Sequence, residues 1–175
     1  VKIEVPDDFY LRPVEEDDHP FLVELHNDPQ VLHNLTHPEP ITMEQHLRWW
    51  ERTKSDRRQL RLVFVAFGHK AGMAKFYDYD AMNRSIVLGA DIHKDHRGKG
   101  WAQFLWTLML ERCFEGFNVH RVGLTTAEYN AVGQHIYKKL GFREEGRLRE
   151  SLYRDGQFHD QLCMFMTEGD WRARK

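Results

Sequence analysis

Apolar positions along the chain recur at two periods, and their succession outlines a mixed fold. Phe9 to Val14 alternates as a short strand, after which Asp17, Asp18 and Pro20 open a helix that runs to about His26. The stretch NDPQVLHNLTHPEP interrupts it as two turn clusters, and Thr42 with Gln45 makes a capping box for a helix through Trp49, Trp50 and Arg52. Leu62 to Phe67 is a continuous apolar, β-branched run of strand length; Gly68 to Lys70 turns it into Ala71 to Tyr79, an antiparallel neighbour. Ala81 to Arg84 turns again, and Ser85 to Ile92 is a third buried run. A charged, glycine-punctuated turn at 97–100 then leads into an almost wholly apolar helix ending near Leu110. Arg121 to Ala127 reads as a strand and Val132 to Leu140 as a helix closed by Gly141. In the tail, Asp155-Gly156 is the dipeptide of a type I′ turn and places Tyr153 opposite Phe158. Beyond it, Asp160 to Met166 alternates Leu162, Met164 and Met166 on one face, a packing pattern. The order is β, α, α, β, β, β, α, β, α, β, β, with no repeat, low-complexity run or linker, so residues 1–175 are expected to form one domain.

Composition narrows the partners. A chain of 175 residues can bury a full core without staples, and a formal charge of -2 gives no global field favouring nucleic acid or anionic lipid. Any basic site must be local. Cys113 and Cys163 each sit within an apolar run, which predicts buried thiols and fits a reducing cytoplasm. The first residues, VKIEVPDDFYLRP, have neither a secretory apolar core nor a transit composition, and no segment reaches the roughly 20 apolar residues of a membrane span. A cytoplasmic protein is the expectation. The 11 His are scattered, without HExxH, CxxC or paired His spacing, so no metal is expected.

The glycine turn carries the first chemistry. At the mouth of a helix that follows a strand, backbone N–H groups lack partners and the helix dipole is positive, so Arg97-Gly98-Lys99-Gly100 is an anion cradle. Glycine lets a phosphate approach the backbone, Arg97 and Lys99 add charge from the side, and a pyrophosphate suits several converging donors. A solvated loop would look similar, and the spacing also mimics a dinucleotide fingerprint. That fingerprint, however, belongs after the first strand of alternating β and α units, whereas three antiparallel strands precede this turn. A Walker pattern is absent, since no Gly-Lys-Ser/Thr occurs.

With the following residues, Arg97-Gly98-Lys99-Gly100-Trp101-Ala102 resembles the Q/R-x-x-G-x-G/A acetyl-CoA motif of the GNAT superfamily of N-acetyltransferases. Asn130, Tyr137 and Gly141-Phe142 resemble the family's N-x-x-A-x-x-x-Y-x-x-x-G-F helix, with Gly133 where alanine is usual. The resemblance runs from about Tyr10 to Met166 and implies an α+β fold: a central, mostly antiparallel twisted sheet of about seven strands, flanked by about four helices and splayed between the fourth and fifth strands. The early NDPQV and the tail GRLRESLYRDGQFHDQLCMF are similar to the branch of ribosomal-protein N-terminal and small-amine acetyltransferases. MEQHLRWW resembles a helix of enzymes that acetylate amino groups on nucleotide-linked sugars, which implies that Glu44, His46 and Trp49 lie near the acceptor.

The resemblance also assigns parts. It implies acetyl-CoA as cofactor, held by Ile92, His93, the turn from Arg97 to Ala102, Asn130 and Tyr137, with the Ile92 N–H facing the thioester oxygen. Tyr137 matches the usual general acid, because a phenol of pKa about 10 stays protonated to meet a departing thiolate. An alkylammonium of similar pKa cannot attack until it loses a proton, so a base is needed. Asp78, His93, Glu128 and His120 lie at predicted strand ends, with Glu128 and His93 ranked first. Each of these has a plainer reading: a core tyrosine, a helix cap at Asn130, solvated carboxylates, a polar strand end. Trp49, Trp50 and Tyr79 could wall a sugar or base, with Asp78 beside them, although only one of two adjacent tryptophans can face one cleft. Arg147, Arg149 and Arg154 could meet an acceptor's phosphates or be solvated.

The expectation is therefore direct acetyl transfer to a bound amine, with no acetyl-enzyme because neither cysteine has a neighbouring His base. The preferred acceptor is a nucleotide-linked amino sugar; a protein N-terminal amine and a small amine or aminoglycoside are the alternatives. A non-catalytic acyl-CoA-binding module is the rival from another class, and intact Asn130 and Tyr137 argue against it. The apolar hairpin and the Trp pair suit a homodimer.

Overall fold

The computed structural model describes residues 3–174. In chain order the elements are β1 (Phe9–Pro13), α1 (His19–Asn27), α2 (Pro29–Asn34), α3 (Met43–Thr53), β2 (Leu60–Ala66), β3 (His69–Asp80), β4 (Ser85–Ile92), α4 (Trp101–Glu111), β5 (Arg121–Ala127), α5 (Ala131–Leu140), β6 (Arg143–Arg154), β7 (Gln157–Thr167) and α6 (Glu168–Arg172). One seven-stranded sheet runs β1-β2-β3-β4-β5-β7-β6, and every neighbouring pair is antiparallel except β4 with β5.

Two helices go beyond the expected four. The segment read as turns between His26 and the capping box contains α2, because Asp28 accepts from the N–H groups of Gln30 and Val31 and Pro29 takes the first helical position. At the other end, Thr167 and Asp170 form a capping box that opens α6. The β2–β3 turn is also tighter than expected: Phe67 and Gly68 have φ of 50° and 75°, and His69 already belongs to β3. The second hairpin follows its dipeptide, with φ of 52° at Asp155 and 82° at Gly156, and Tyr153 pairs with Phe158.

Strand alternation divides the core between the two sheet faces. Leu62 and Phe64 of β2, Ala74 and Phe76 of β3, Ile86 and Leu88 of β4 and Met164 and Met166 of β7 pack with Leu105, Trp106, Met109 and Leu110 of α4. Met73 faces the other way and packs with Leu22, Leu25 and Val31 of α1 and α2. The tail methionines are thus core, as their spacing predicted. Cys113 is buried, which pushes its thiol up to about 12, whereas Cys163 is only half-buried; both are free. Among the described residues no helix is long and apolar enough to cross a membrane.

The feature that matters for chemistry is where the sheet opens. β4 pairs with β5 only from Ser85–Val87 to Arg121–Gly123. Past that point Leu88 to Ile92 keeps β3 as its neighbour and Leu124 to Ala127 keeps β7, so the two strands part. Backbone groups on the parted edges need other partners. On its β3 side β4 is held tightly: a Cβ on Gly72 would stand 2.2 Å from the Asp91 carbonyl oxygen, so only glycine fits there.

Candidate active site

Between the parted strands lies a cleft of about 560 Å³, bounded by the ends of β4 and α2, the 97–102 turn, and the first turns of α4 and α5. Its geometry begins with backbone. Because the His93 N–H donates to the Ala71 carbonyl, the alternation of an antiparallel ladder turns the N–H and C=O of Ile92 to the opposite side, into the splay. The Ile92 side chain packs against the α4 core. Gly98 and Gly100 both adopt left-handed backbone, with φ of 74° and 76°. Nothing lies within 4 Å of where a Gly98 Cβ would be, and Gly100 caps α4 without a side-chain acceptor, so the first-turn N–H groups of α4 face open space. This donor set fits the pyrophosphate of coenzyme A, and Ala102 lines the cleft beside it.

The basic side chains of the turn do something else. The Arg97 guanidinium donates to Asp28 at 2.7 Å, to Gln30 at 3.0 Å and, through Nε, to the Ile92 carbonyl at 3.1 Å. It therefore pins α2 to β4. Burial opposes the charge on Asp28, yet Arg97 and the Val31 N–H hold its carboxyl below the usual carboxylate range. The Lys99 ammonium stands 4.8 Å over the Trp101 ring, and that ring stacks on His96 with centroids 5.0 Å apart.

From α5, Tyr137 reaches the cleft between Trp106 and Phe142, with ring centroids 4.9 and 6.1 Å away. Burial first, then the nearby charges of Asp91 and Tyr77, push its phenol well above the usual tyrosine value, so it keeps its proton. Asn130 is a helix cap: its Oδ1 accepts from the Gly133 N–H at 3.1 Å and its Nδ2 donates to the Thr126 hydroxyl at 3.0 Å. A Cβ on residue 133 would stand 2.5 Å from that Nδ2, so glycine in the usual alanine position makes room for the cap.

The expected acceptor and base residues scatter. His93 is buried against Phe21 and pairs with Glu24 at 3.3 Å, outside the cleft. Glu128 accepts from the Asp160 N–H at 3.1 Å and lies 3.3 Å from His159. His120 sits before β5, at the end of that strand opposite the splay, and Asp78 occupies an irregular, left-handed position late in β3. Tyr79 lines a separate slot with Phe76 and Phe117. In α3, Glu44 is exposed and pairs with Arg48, while His46 is buried with its Nε2 2.9 Å from His19 Nδ1. Trp49 lies beside Arg61 and Trp50 beside His19. None of Glu44, His46 and Trp49 lines the cleft. The flanking arginines are committed as well: Arg147 to Glu144, Arg149 to Asp160, and Arg154 to the carbonyls of His33, Leu35 and Thr36. With the Tyr129 hydroxyl donating to His33 at 2.6 Å, Arg154 ties the far end of α2 down, so this helix straps the splay from both ends.

Sequence reasoning missed α2, Asp91 and His135 among the cleft residues. Asp28-Pro29 was a legible signal for α2. Asp91 and His135 carried none, each being one polar residue within a longer element.

A family model described as acetyltransferase (GNAT) domain matches residues 8–143. The chain belongs to the GNAT acetyltransferases. This acetyltransferase is 27% identical over 161 residues to the spermidine N(1)-acetyltransferase of Escherichia coli K12, covering 90% of this chain and 86% of that one. To the L-amino acid N-acetyltransferase of the same organism it is 30% identical over 158 residues, covering 88% and 94%. Spermidine N-acetyltransferase of Vibrio cholerae, solved with CoA and spermine, superposes with a TM-score of 0.90 at 25% identity, over 95% of this chain and 99% of that one. The splayed seven-stranded sheet is thus the GNAT sheet, and the protein is an acetyl-CoA-dependent N-acetyltransferase.

Proposed function

We propose that this GNAT enzyme acetylates a small aliphatic primary amine, of the polyamine or amino-acid kind. The observation that carries the reading is the commitment of the cations around the splay. A nucleotide-linked sugar brings a diphosphate that needs free basic groups. Arg147, Arg149 and Arg154 are spent on carboxylates and carbonyls, Arg97 on Asp28, and Lys75 on Asp91. Arg61 is spent on the carbonyls of Leu60 and Phe76 and on Gln59. The amino-sugar acceptor expected from the Glu44–Trp50 segment also needs that helix at the cleft, and α3 packs elsewhere. The strap made by α2 favours a short acceptor over an extended polypeptide, and relatives named for spermidine and for amino acids agree with a small amine.

In this reading acetyl-CoA supplies the activated acetyl group. The N–H groups of the 98–102 turn hold its pyrophosphate, the Ile92 N–H receives the carbonyl oxygen, and the Tyr137 phenol gives its proton to the leaving sulfur. The test follows thiol release from acetyl-CoA with polyamines, amino acids, nucleotide-linked amino sugars and peptides with free N-termini. Preferential turnover of the first two is expected. Preference for amino sugars or peptides would overturn the acceptor assignment and leave acetyl transfer standing.

A further inference from the structure

We infer that Thr126 is a positioning residue for the reaction: through its hydroxyl, Asn130 holds the Tyr137 phenol with the phenolic proton turned towards the leaving sulfur. The inference rests on the reading of Tyr137 as general acid above. Thr126 sits on the parted stretch of β5, past the last residue paired with β4. Along that strand Val122, Leu124 and Thr126 alternate onto one face, and the first two belong to the core that packs on α4. The ladder partner of Thr126, Leu162, belongs to the same core. Thr126 is therefore a buried hydroxyl, 6% exposed, in an otherwise apolar row on the lip of the splay.

The direction of each hydrogen bond around it follows from one backbone group. The Gly133 N–H can only donate, so the Asn130 atom that meets it at 3.1 Å is Oδ1. The other end of that amide is then Nδ2, which can only donate and reaches the Thr126 Oγ1 at 3.0 Å. With its oxygen receiving that bond, Thr126 has its own proton left to give. Asn130 and Tyr137 lie about two helical turns apart on one face of α5, so the phenol comes to the same hydroxyl. Burial, then the charges of Asp91 and Tyr77, raise the phenol, while its hydrogen bond with Thr126 works the other way, as a donor to the phenol oxygen does. That oxygen is thereby engaged, and the phenolic proton is left to point into the cleft that Tyr137 lines. Capping alone does not require this series of bonds. A cap uses only Oδ1, and aspartate or serine would serve as well. A buried hydroxyl in an apolar row also carries a desolvation penalty that valine would not.

The proton balance shows where this matters. The neutral amine nitrogen bonds to the thioester carbonyl carbon, and the carbon–sulfur bond breaks with its electron pair on sulfur. The phenolic proton moves from Tyr137 to that sulfur, and the surplus proton on nitrogen returns to the phenolate. Amide and thiol result, and Tyr137 ends unchanged. Between the two transfers the phenolate is buried, which disfavours it. A hydroxyl already aimed at its oxygen, and itself polarised by the Asn130 amide, stabilises that anion without rearrangement.

The experiment measures kcat and KM for the wild type, Thr126→Val, Thr126→Ser, Tyr137→Phe and the Thr126→Val, Tyr137→Phe double variant. The acceptor is spermidine, or whichever class in the assay above is turned over fastest, so that the outcome stands apart from the acceptor reading. Thr126→Val keeps the shape and removes the hydroxyl: kcat falls about tenfold, the size of one hydrogen bond to a charged group, while KM for acetyl-CoA holds. Thr126→Ser keeps the hydroxyl and stays within about threefold of the wild type. In the Tyr137→Phe background Thr126→Val changes kcat less than about twofold, because no phenol is left to hold. Wild-type kcat in Thr126→Val overturns the inference. So does the same tenfold loss with and without the Tyr137 hydroxyl, which would make Thr126 a packing residue only. Should Thr126→Val fail to fold, Asn130→Asp decides. Aspartate keeps the cap but accepts from Thr126 instead of donating, which turns the hydroxyl proton away from the phenol, so kcat at saturating acetyl-CoA again falls about tenfold. Unchanged kcat there overturns the inference. Full turnover in Tyr137→Phe would instead remove the general acid, and this role with it.

Discussion

The two lips of the splay are built on different principles. On the α4 side, recognition belongs to backbone: left-handed Gly98 and Gly100, the uncapped first turn of α4, and the Ile92 N–H turned out of its ladder. On the α2 side the opening is framed by side chains: the Arg97 and Arg154 anchors hold α2 across it. Backbone recognition demands special φ angles and close approach, so it leaves glycines in a readable pattern. Side-chain anchoring demands only that a basic residue meet partners far away in the sequence.

The sharpest way to break the comparison is Gly100→Glu. It adds bulk, forces a residue with a side chain to φ of 76° and sets a negative charge where the pyrophosphate binds, so affinity for coenzyme A should fall by more than about 10²-fold in calorimetry. Unaltered affinity would mean that the turn holds something else. Tyr137→Phe keeps the ring between Trp106 and Phe142 and removes only the proton, so kcat should drop about 10²-fold while cofactor affinity holds; unchanged turnover would remove its role as acid. Arg97→Ala separates the lips most cleanly. If its guanidinium serves α2 and not the phosphates, affinity for coenzyme A should change less than about threefold, while amide exchange in 28–36 accelerates. A large loss of affinity would return Arg97 to the cofactor.

The smallest effect concerns α3, which packs on α1 well away from the cleft. Burial, with the nearby His19 and His26 charges, pushes His46 down to about 4. The unfolded chain then binds the extra proton between about pH 6.5 and 4, so the stability carried by the buried, neutral His46 ring is complete above this window and lost as pH falls through it. His46→Gln should flatten the pH dependence of the urea midpoint there and leave kcat/KM for small amines unchanged. A lowered kcat/KM would bring α3 back to the acceptor.

How much was legible follows the same division. β4 and β5 have the bounds their apolar runs predicted, the Asp155-Gly156 hairpin has its predicted register, and the capping box at Thr42 opens α3. Each is a local signal in which propensity and tertiary demand agree. The turn at Arg97 was read correctly in shape and differently in charge, because nothing local reveals that a guanidinium at 97 meets a carboxylate at 28. The Glu44–Trp50 helix was placed in sequence and misplaced in space: helical spacing gives its faces, while which face meets the cleft depends on α1.

From its sequence alone this chain had most of its elements and the shape of its glycine turn, because these rest on periodicity and glycine conformation, both local properties, while its reaction class came from the resemblance of two motifs to a family. Only the tertiary structure decided which side chains share the splay. Arg97 and Tyr137 line one cleft from two distant elements, and their meeting depends on how far β4 and β5 part and on how α2 and α5 pack beside the opening. Those are consequences of packing among distant segments, where the charge of one residue is set by neighbours that no spacing along the chain records.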